Sequence, residues 1–493
     1  MVEHRAIPRT DVFSLTCRGS PWVNTYWLQE IPNYLIYRRL GLLGFTLFNS
    51  FLIATIILLV GFANHGRATS WKFRLASMVW IFLAAQPRGY GWGEKASLVT
   101  FGFLGLLFYT LRSGKWPTES RLGKAWPFLF VIWANAHRGF ILGLLILAGY
   151  VLERCITSKT DRSPIFWWGF SCVVTTLLNP WGLRIYGMSW HDFRLSPNLV
   201  RGWAQTPFLH LEIFWITLVL FWILMGWEFW HGNFPGFAFT WASALLSVLS
   251  MRYASFYPYF ILWAVPWLIS IINRKVPVYA INWIPALTGA VILLSSLDIH
   301  PAVGVNGSIF PTEAVRFLKE SDLRHPFYHD YGLGGYYLWE LDGKPPVLID
   351  GRYPAVEGYR ELLPAMDKSI QGTPDDFHRF LNRLDIHSAV VAYPSTGFLR
   401  RPFALYFPRS QWALLYWDDL VLVFAQRIPP LQNQIQKYEF AGIEPDSDPV
   451  FWRQTVWSRL SAGQKASLRQ EFERNARLRP DSRRARFWQE FTR

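Results

Sequence analysis

Cysteine is nearly absent from this chain, with only Cys17, Cys155 and Cys172 in 493 residues. They form no CxxC pair and no metal-ligand spacing, which argues against a disulfide framework and a structural zinc site. Charge is also scarce, at 17% of residues against about 25% in ordinary globular chains. The balance is basic, at +15, but Lys and Arg sit in short loops between apolar runs and in the last forty residues. No RNA-binding or helix-turn-helix signature accompanies them, so no nucleic acid partner is expected. Met1 to Thr10 is polar, and no signal peptide is expected before Asp11.

What is abundant is apolar and aromatic: 51% hydrophobic residues, with 27 Trp and 39 Phe. Such a composition suits lipid as the solvent. Apolar runs of about 15 to 23 positions repeat up to a boundary near Asp298, and the remainder reads as water-soluble sequence. The expected spans are Gly41 to Ala63, Leu75 to Gln86, Ala96 to Leu111, Trp126 to Ala136, Phe140 to Leu152, Ile165 to Leu178, Leu209 to Trp227, Phe237 to Ser250, Phe256 to Ile272 and Val278 to Leu297. That makes about ten crossings, several of them short for a hydrocarbon layer of about 30 Å. Pro21 to Arg39, with Trp22, Tyr26, Trp27, Tyr34 and Tyr37, reads as an amphipathic helix lying in the interface.

Alternate loops carry the positive charge: Arg67, Lys72 and Arg74, then Arg112, Lys115, Arg121 and Lys124, then Arg154, Lys159 and Arg162, and finally Arg274 and Lys275. These loops belong inside, which puts the segment before Gly41 and everything after Asp298 outside the cytoplasm of a bacterial inner membrane. The expected architecture is an α-helical polytopic membrane domain followed by a small soluble α/β domain and a helical tail. Its divisions are an outer loop and interfacial helix over 1–40, a membrane domain over 41–298, an α/β domain over 299–430 and an Arg-rich tail over 431–493. In the soluble part Pro311 opens a helix through TEAVRFLKES. PFYHD, PPVLID and HSAVVAY read as strands, and WALLYW with LVLVFA as a hairpin around Asp418 and Asp419. YGLGGYYLW, Tyr331 to Trp339, is a glycine turn feeding a helix and does not match GxGxxG. QEFERNARLRPDS resembles a single tetratricopeptide-type helix pair without a second repeat.

On this topology Asp11, Arg88, Asn135, His137, Arg138, Asn179, Arg184, His191, Asp192 and Arg252 all fall on the outer side. Polar groups at membrane depth are costly unless they face a cavity or a partner, so their gathering points to one outward cavity. WANAHRGF sets Asn135, His137 and Arg138 between two apolar helices, where a phosphate or diphosphate is the natural guest; simple snorkelling of His137 and Arg138 is the competing explanation. Arg252 follows a span and is open to the same two accounts. NPWG, Asn179 to Gly182, is first of all a helix terminator. Asp11, in IPRTDVFS, is either a general base or metal ligand or a turn-closing Asp. LIDGRYP places Asp350 and Arg352 at the C-terminal edge of a sheet, a usual place for ligands, although an internal ion pair has the same sequence.

Taken in order, IPRTDVFSLTCRGSPWVNTYWLQE, WANAHRGFILG, LLNPWG and GLGGYYLW followed by VLIDGRYP resemble a family of bacterial multispanning proteins related to the C-type glycosyltransferase superfamily. The resemblance runs over most of the chain and is one of fold, so its function is an analogy. It implies transfer of a sugar from a polyprenyl-phosphate-linked or polyprenyl-diphosphate-linked donor to an outer-face acceptor. A carboxylate, first of all Asp11, then deprotonates the acceptor or helps bind a divalent cation, and Arg88, His137, Arg138 and Arg252 steady the leaving phosphate. Similar proteins carry a further membrane helix and an acidic, Trp- and His-containing stretch just before the part resembling VEHRAIPRTDVFS. The principal carboxylate of that pattern is therefore missing here: either it lies upstream, with the start placed too late, or this chain is a truncated member. A noncatalytic membrane scaffold binding a partner through its C-terminal domain is the alternative; polar residues lying mainly on the outer side count against a transporter.

Overall fold

The computed structural model describes residues 5–63, 70–84, 97–112, 120–158, 162–190, 211–275, 304–323, 325–353, 355–392, 406–447 and 449–492. Two compact units emerge: Met1–Ile7 with Val23–Gly304, and Pro8–Trp22 with Val305–Arg493.

The first unit is helical. Its helices are α1 (Trp27–Ala63), α2 (Trp71–Ala84), α3 (Ser97–Arg112), α4 (Arg121–Ala136), α5 (Phe140–Thr157), α6 (Ser163–Thr175), α7 (Glu212–Trp230), α8 (Phe237–Arg252) and α9 (Tyr257–Lys275), and residues 184–190 are also helical. Several run past the apolar stretches that announce them, because Lys, Arg and Trp at the ends continue the helix while their polar tips reach water. Among the described residues four helical stretches are long and apolar enough to cross a membrane: Trp27–Gly61, Phe140–Thr157, Glu212–Trp230 and Ala254–Lys275. The protein is a multi-pass membrane protein. Val278 to Leu297 lies outside the described residues.

The last of these stretches, which contains α9, is central: 78% of its apolar window is buried, against 17% for α1, and α9 packs on α2, α3, α7 and α8. The faces of α6 and α7 that carry Phe166, Trp167, Phe170, Ile216, Val219 and Ile223 are exposed, as faces in contact with lipid are. Within α1 the helix is interrupted at Gly41, with φ 60° and ψ −156°, a conformation that glycine adopts without a Cβ clash. The break falls where the interfacial segment was expected to give way to the first span.

The second unit holds a four-stranded sheet in the order β1 (Phe327–His329), β2 (Ser388–Ala392), β4 (Val421–Gln426), β3 (Trp412–Trp417). The β1–β2 pair is parallel and the others antiparallel, with Val390 opposite Val423 and a register shift between Leu414 and Tyr416. Around it lie α10 (Thr312–Glu320), α11 (Gly334–Glu340), α12 (Tyr359–Gln371), α13 (Pro374–Arg383), α14 (Gln432–Tyr438), α15 (Pro449–Thr455), α16 (Ala462–Leu478) and α17 (Arg483–Phe491). Pro311 caps α10 instead of lying inside it. The two hairpin aspartates divide their work. Asp418 accepts the N–H groups of Leu420 and Val421 at 2.7 and 2.8 Å and closes the turn. Asp419 accepts the N–H groups of Arg483 and Arg484 and the Ser482 hydroxyl at the start of α17.

Three expectations change here. PPVLID is not a strand of the sheet: Val347 makes only an isolated bridge to Ser14, and its carbonyl accepts the Leu15 N–H at 2.8 Å. Asp350 and Arg352 therefore do not sit at a sheet edge. The N-terminal segment and the tail are also not separate regions, since Pro8–Trp22 and residues 431–493 belong to the same unit as the sheet.

Candidate functional site

The WANAHRGF stretch forms the break between α4 and α5. His137 caps α4 in extended conformation, φ −162° and ψ 135°, and returns its N–H to the Trp133 carbonyl at 2.8 Å. Two glycines let the next helix approach closely. A Cβ at Gly139 would lie 2.1 Å from Thr100 Oγ1, and one at Gly143 would lie 2.4 Å from the Trp133 ring.

Both polar atoms of the Asn135 side chain are hydrogen-bonded. Its Oδ1 accepts Trp27 Nε1–H at 2.9 Å, and its Nδ2 donates to the Val131 and Leu178 carbonyls at 2.8 and 2.9 Å. The amide thus ties together α1, α4 and the turn after α6.

His137 is 9% exposed. Thr100 Oγ1 accepts Trp133 Nε1–H at 2.9 Å, which directs its own hydroxyl hydrogen to His137 Nδ1 at 2.6 Å. The Gly139 N–H also donates to Nδ1, at 3.0 Å. A ring nitrogen that accepts carries no proton, so the neutral ring holds its hydrogen on Nε2 and offers it as a donor. The Tyr26 ring lies 5.4 Å from His137 and 5.7 Å from the Arg138 guanidinium. Arg252 ends α8 in an exposed position, and Arg184 is also exposed. Arg88, His191 and Asp192 lie outside the described residues. Asn179 closes the NPWG turn through the Trp181 N–H at 2.8 Å.

The carboxylate candidates belong to the second unit. Asp11 is fully buried. Its Oδ1 accepts the Phe13 N–H at 3.0 Å and Arg352 Nη1 at 2.7 Å; its Oδ2 accepts the Ser14 N–H at 3.2 Å and the Ser14 hydroxyl. Burial alone would raise this acid. The Ser14 and Phe13 hydrogen bonds and the Arg352 charge outweigh it and hold Asp11 below the usual carboxylate range. Asp350 takes Arg352 Nε on Oδ1 at 2.8 Å and Arg352 Nη2 on Oδ2 at 2.6 Å, with the Tyr359 hydroxyl on Oδ2 at 3.2 Å. The Phe13 and Trp22 rings, set edge to face against one another, each lie 4.9 Å from the guanidinium. A carboxylate offers about four acceptor sites, and those of Asp11 are taken. This donor set does not fit a divalent cation, and among the described residues no group of three or more His, Cys, Asp and Glu is placed to hold one.

Beside this pair, buried His329 donates Nδ1–H to the Asp330 carbonyl and accepts the Leu348 N–H on Nε2, both at 3.0 Å. Desolvation lowers its pKa to about 4. Gly334 is required there, because a Cβ would meet the Ile349 carbonyl oxygen at 1.8 Å. Sequence reasoning missed Thr100, Ser14, His329 and Tyr359. Of the partners on the first unit, Tyr26 and Trp27 had a signal as aromatics of the interfacial segment and Trp133 as part of WANAHRGF.

No family model matches this sequence, and no curated protein matches it. Among solved structures the chain is similar to the archaeal oligosaccharyltransferase AglB from Archaeoglobus fulgidus in complex with an inhibitory peptide and a dolichol-phosphate. Identity is 11% and the TM-score 0.49, over 79% of this chain and 64% of that one. The chain thus spans less than two thirds of that protein's length.

Proposed function

We propose that this protein is a glycosyltransferase-like protein of a bacterial inner membrane, transferring a sugar from a polyprenyl-phosphate-linked donor to an acceptor on the outer face, where its C-terminal unit lies. The observation that carries this reading is the α4–α5 break, which combines three features that suit an anion. His137 offers Nε2–H, Arg138 is a permanent cation beside it, and α5 begins at Phe140 with the positive end of its dipole. As the bond between sugar and phosphate breaks, charge gathers on the phosphate oxygens, and donors already in place stabilise it without reorganising. Arg88 and Arg252 are the further cations assigned to the lipid phosphate.

The acceptor hydroxyl needs a base. Asp11 is the assigned residue, with Asp350 and Arg352 beside it, and to act it has to leave the Arg352 pair. That closed pair is the specific observation favouring the second reading, a noncatalytic membrane scaffold that binds a partner through its C-terminal unit.

The test uses the full chain in lipid nanodiscs with a radiolabelled polyprenyl-phosphate sugar. Arg138→Ala is expected to weaken donor binding by about tenfold or more, the effect of losing a charge-assisted contact, with the protein still folded. Unchanged binding removes Arg138 from the site. Sugar transfer by the wild type decides for the enzyme, and donor binding without transfer to any acceptor decides for the scaffold.

A further inference from the structure

A cavity of about 460 Å³ opens in the second unit between α10, β3, α14 and α16. It shares no residue with the Asp11–Arg352 cluster. Its inner wall carries two arginines laid flat on aromatic rings. The Arg474 guanidinium lies 4.1 Å from the Phe440 ring centre, and that of Arg479 lies 3.8 Å from the Tyr416 ring centre. Stacking fixes the plane of each guanidinium and leaves its edge to hydrogen-bond.

Those edges are only partly used. Arg474 gives one N–H to the Glu439 carbonyl at 2.6 Å, and Arg479 gives one to Asn475 Oδ1 at 2.8 Å. The Nε–H groups of both arginines and the Nδ2 of Asn475 are buried with no hydrogen-bond partner in the protein among the described residues. Asn475 itself is fully buried. Asn475 lies behind the lining, and these buried atoms do not open into the cavity. What faces it is a pair of neighbouring guanidinium groups, and two like charges at one cavity call for an anionic ligand. Lys437 and Arg316 add two further cations to the lining. Of the two carboxylates there, Glu313 is already paired with Arg316 at 2.8 Å. The walls also include Phe317 and Tyr438, which give an apolar surface for the body of a ligand.

We propose that this cavity binds a small oxyanion, a phosphorylated or carboxylated compound held by the guanidinium groups of Arg474 and Arg479, with Lys437 and Arg316 at its mouth. The site stands apart from the sugar-transfer reading and survives if that reading fails. It gives the C-terminal unit a ligand of its own.

Calorimetric titration of the full-length protein at low ionic strength, with inorganic phosphate and with glutarate, tests this. Saturable binding of at least one probe at one site per chain is expected, and the probe that binds tells phosphate from carboxylate chemistry. Arg479→Gln is expected to weaken binding by about tenfold or more. Because Arg479 also packs on Tyr416, Lys437→Gln and Arg316→Gln, at exposed positions, provide variants that keep the fold and are expected to weaken binding several-fold. Arg459→Gln removes the same kind of charge at an exposed position outside the cavity lining and is expected to leave binding unchanged. Binding of neither probe, or equal weakening by Arg459→Gln and Lys437→Gln, overturns the proposal.

Discussion

The two units each contain a buried polar cluster built around charged or titratable side chains, and the clusters differ in what they leave unbonded. Around Arg352 the acceptors close on themselves: both Asp11 oxygens and both Asp350 oxygens hold protein donors. At the α4–α5 break the hydrogen bonds converge on one side of His137 and leave the opposite nitrogen as a donor. Closed networks of the first kind fix a fold; one-sided networks of the second kind aim a group at something else. Residue type alone, Asp and Arg in one case and His and Arg in the other, does not separate the two.

The largest expected effect breaks the closed cluster. Arg352→Met leaves two buried carboxylates without their cation, and removing one partner of a buried pair costs about 3–5 kcal/mol. Urea titration of the detergent-solubilised protein, read by protease cleavage within residues 305–493, measures it. A loss under about 1 kcal/mol would mean that Asp11 is not structurally committed and is available as a base.

A smaller effect follows from His329. Its folded pKa of about 4 lies below the roughly 6.5 of the unfolded chain, so the unfolded state takes up the proton first as the pH falls. The stabilisation is complete above about pH 6.5, shrinks through the window down to 4, and totals about 3 kcal/mol. Burial raises the neighbouring Asp330 carboxyl, which works in the opposite direction. Comparing the wild type with His329→Gln across pH 4 to 7 cancels that contribution, and parallel stability curves would refute the assignment.

The smallest effect sharpens the open cluster. Thr100→Val removes one of the two donors to His137 Nδ1 and is expected to lower stability by about 1 kcal/mol. Nitrogen-15 spectra of labelled histidine should then show a rise in the Nδ1–H form. An unchanged tautomer would show that Gly139 alone sets it.

Local patterns announced the parts of the fold that local physics decides. The apolar runs WALLYW and LVLVFA marked the Trp412–Gln426 hairpin, and the paired aspartates marked its turn. The apolar runs marked the helices, though not their ends. PPVLID failed for a physical reason. Val347, Leu348 and Ile349 are buried as a strand's residues would be, but their backbone partners come from Ser14 and Leu15, far earlier in the chain, and not from the sheet. The Asp11–Arg352 pair spans 341 positions, and the proton on His137 depends on Thr100 and Trp133. Trp133 and Gly139 lie in the same WANAHRGF stretch as His137, but nothing near Asp11 or His137 in sequence encodes Arg352 or Thr100, which lie 341 and 37 positions away.

The strap formed by Pro8–Trp22 also sets an order of events during synthesis. It leaves the ribosome before the membrane helices, yet the side chain that clamps it is made 341 residues later. At about 5–20 residues per second, Asp11, Phe13 and Trp22 wait on the order of tens of seconds while the membrane helices are threaded. The unit that follows the helices is thus closed by a segment made before them, and a lesion in codons 8–22 would strike the C-terminal unit.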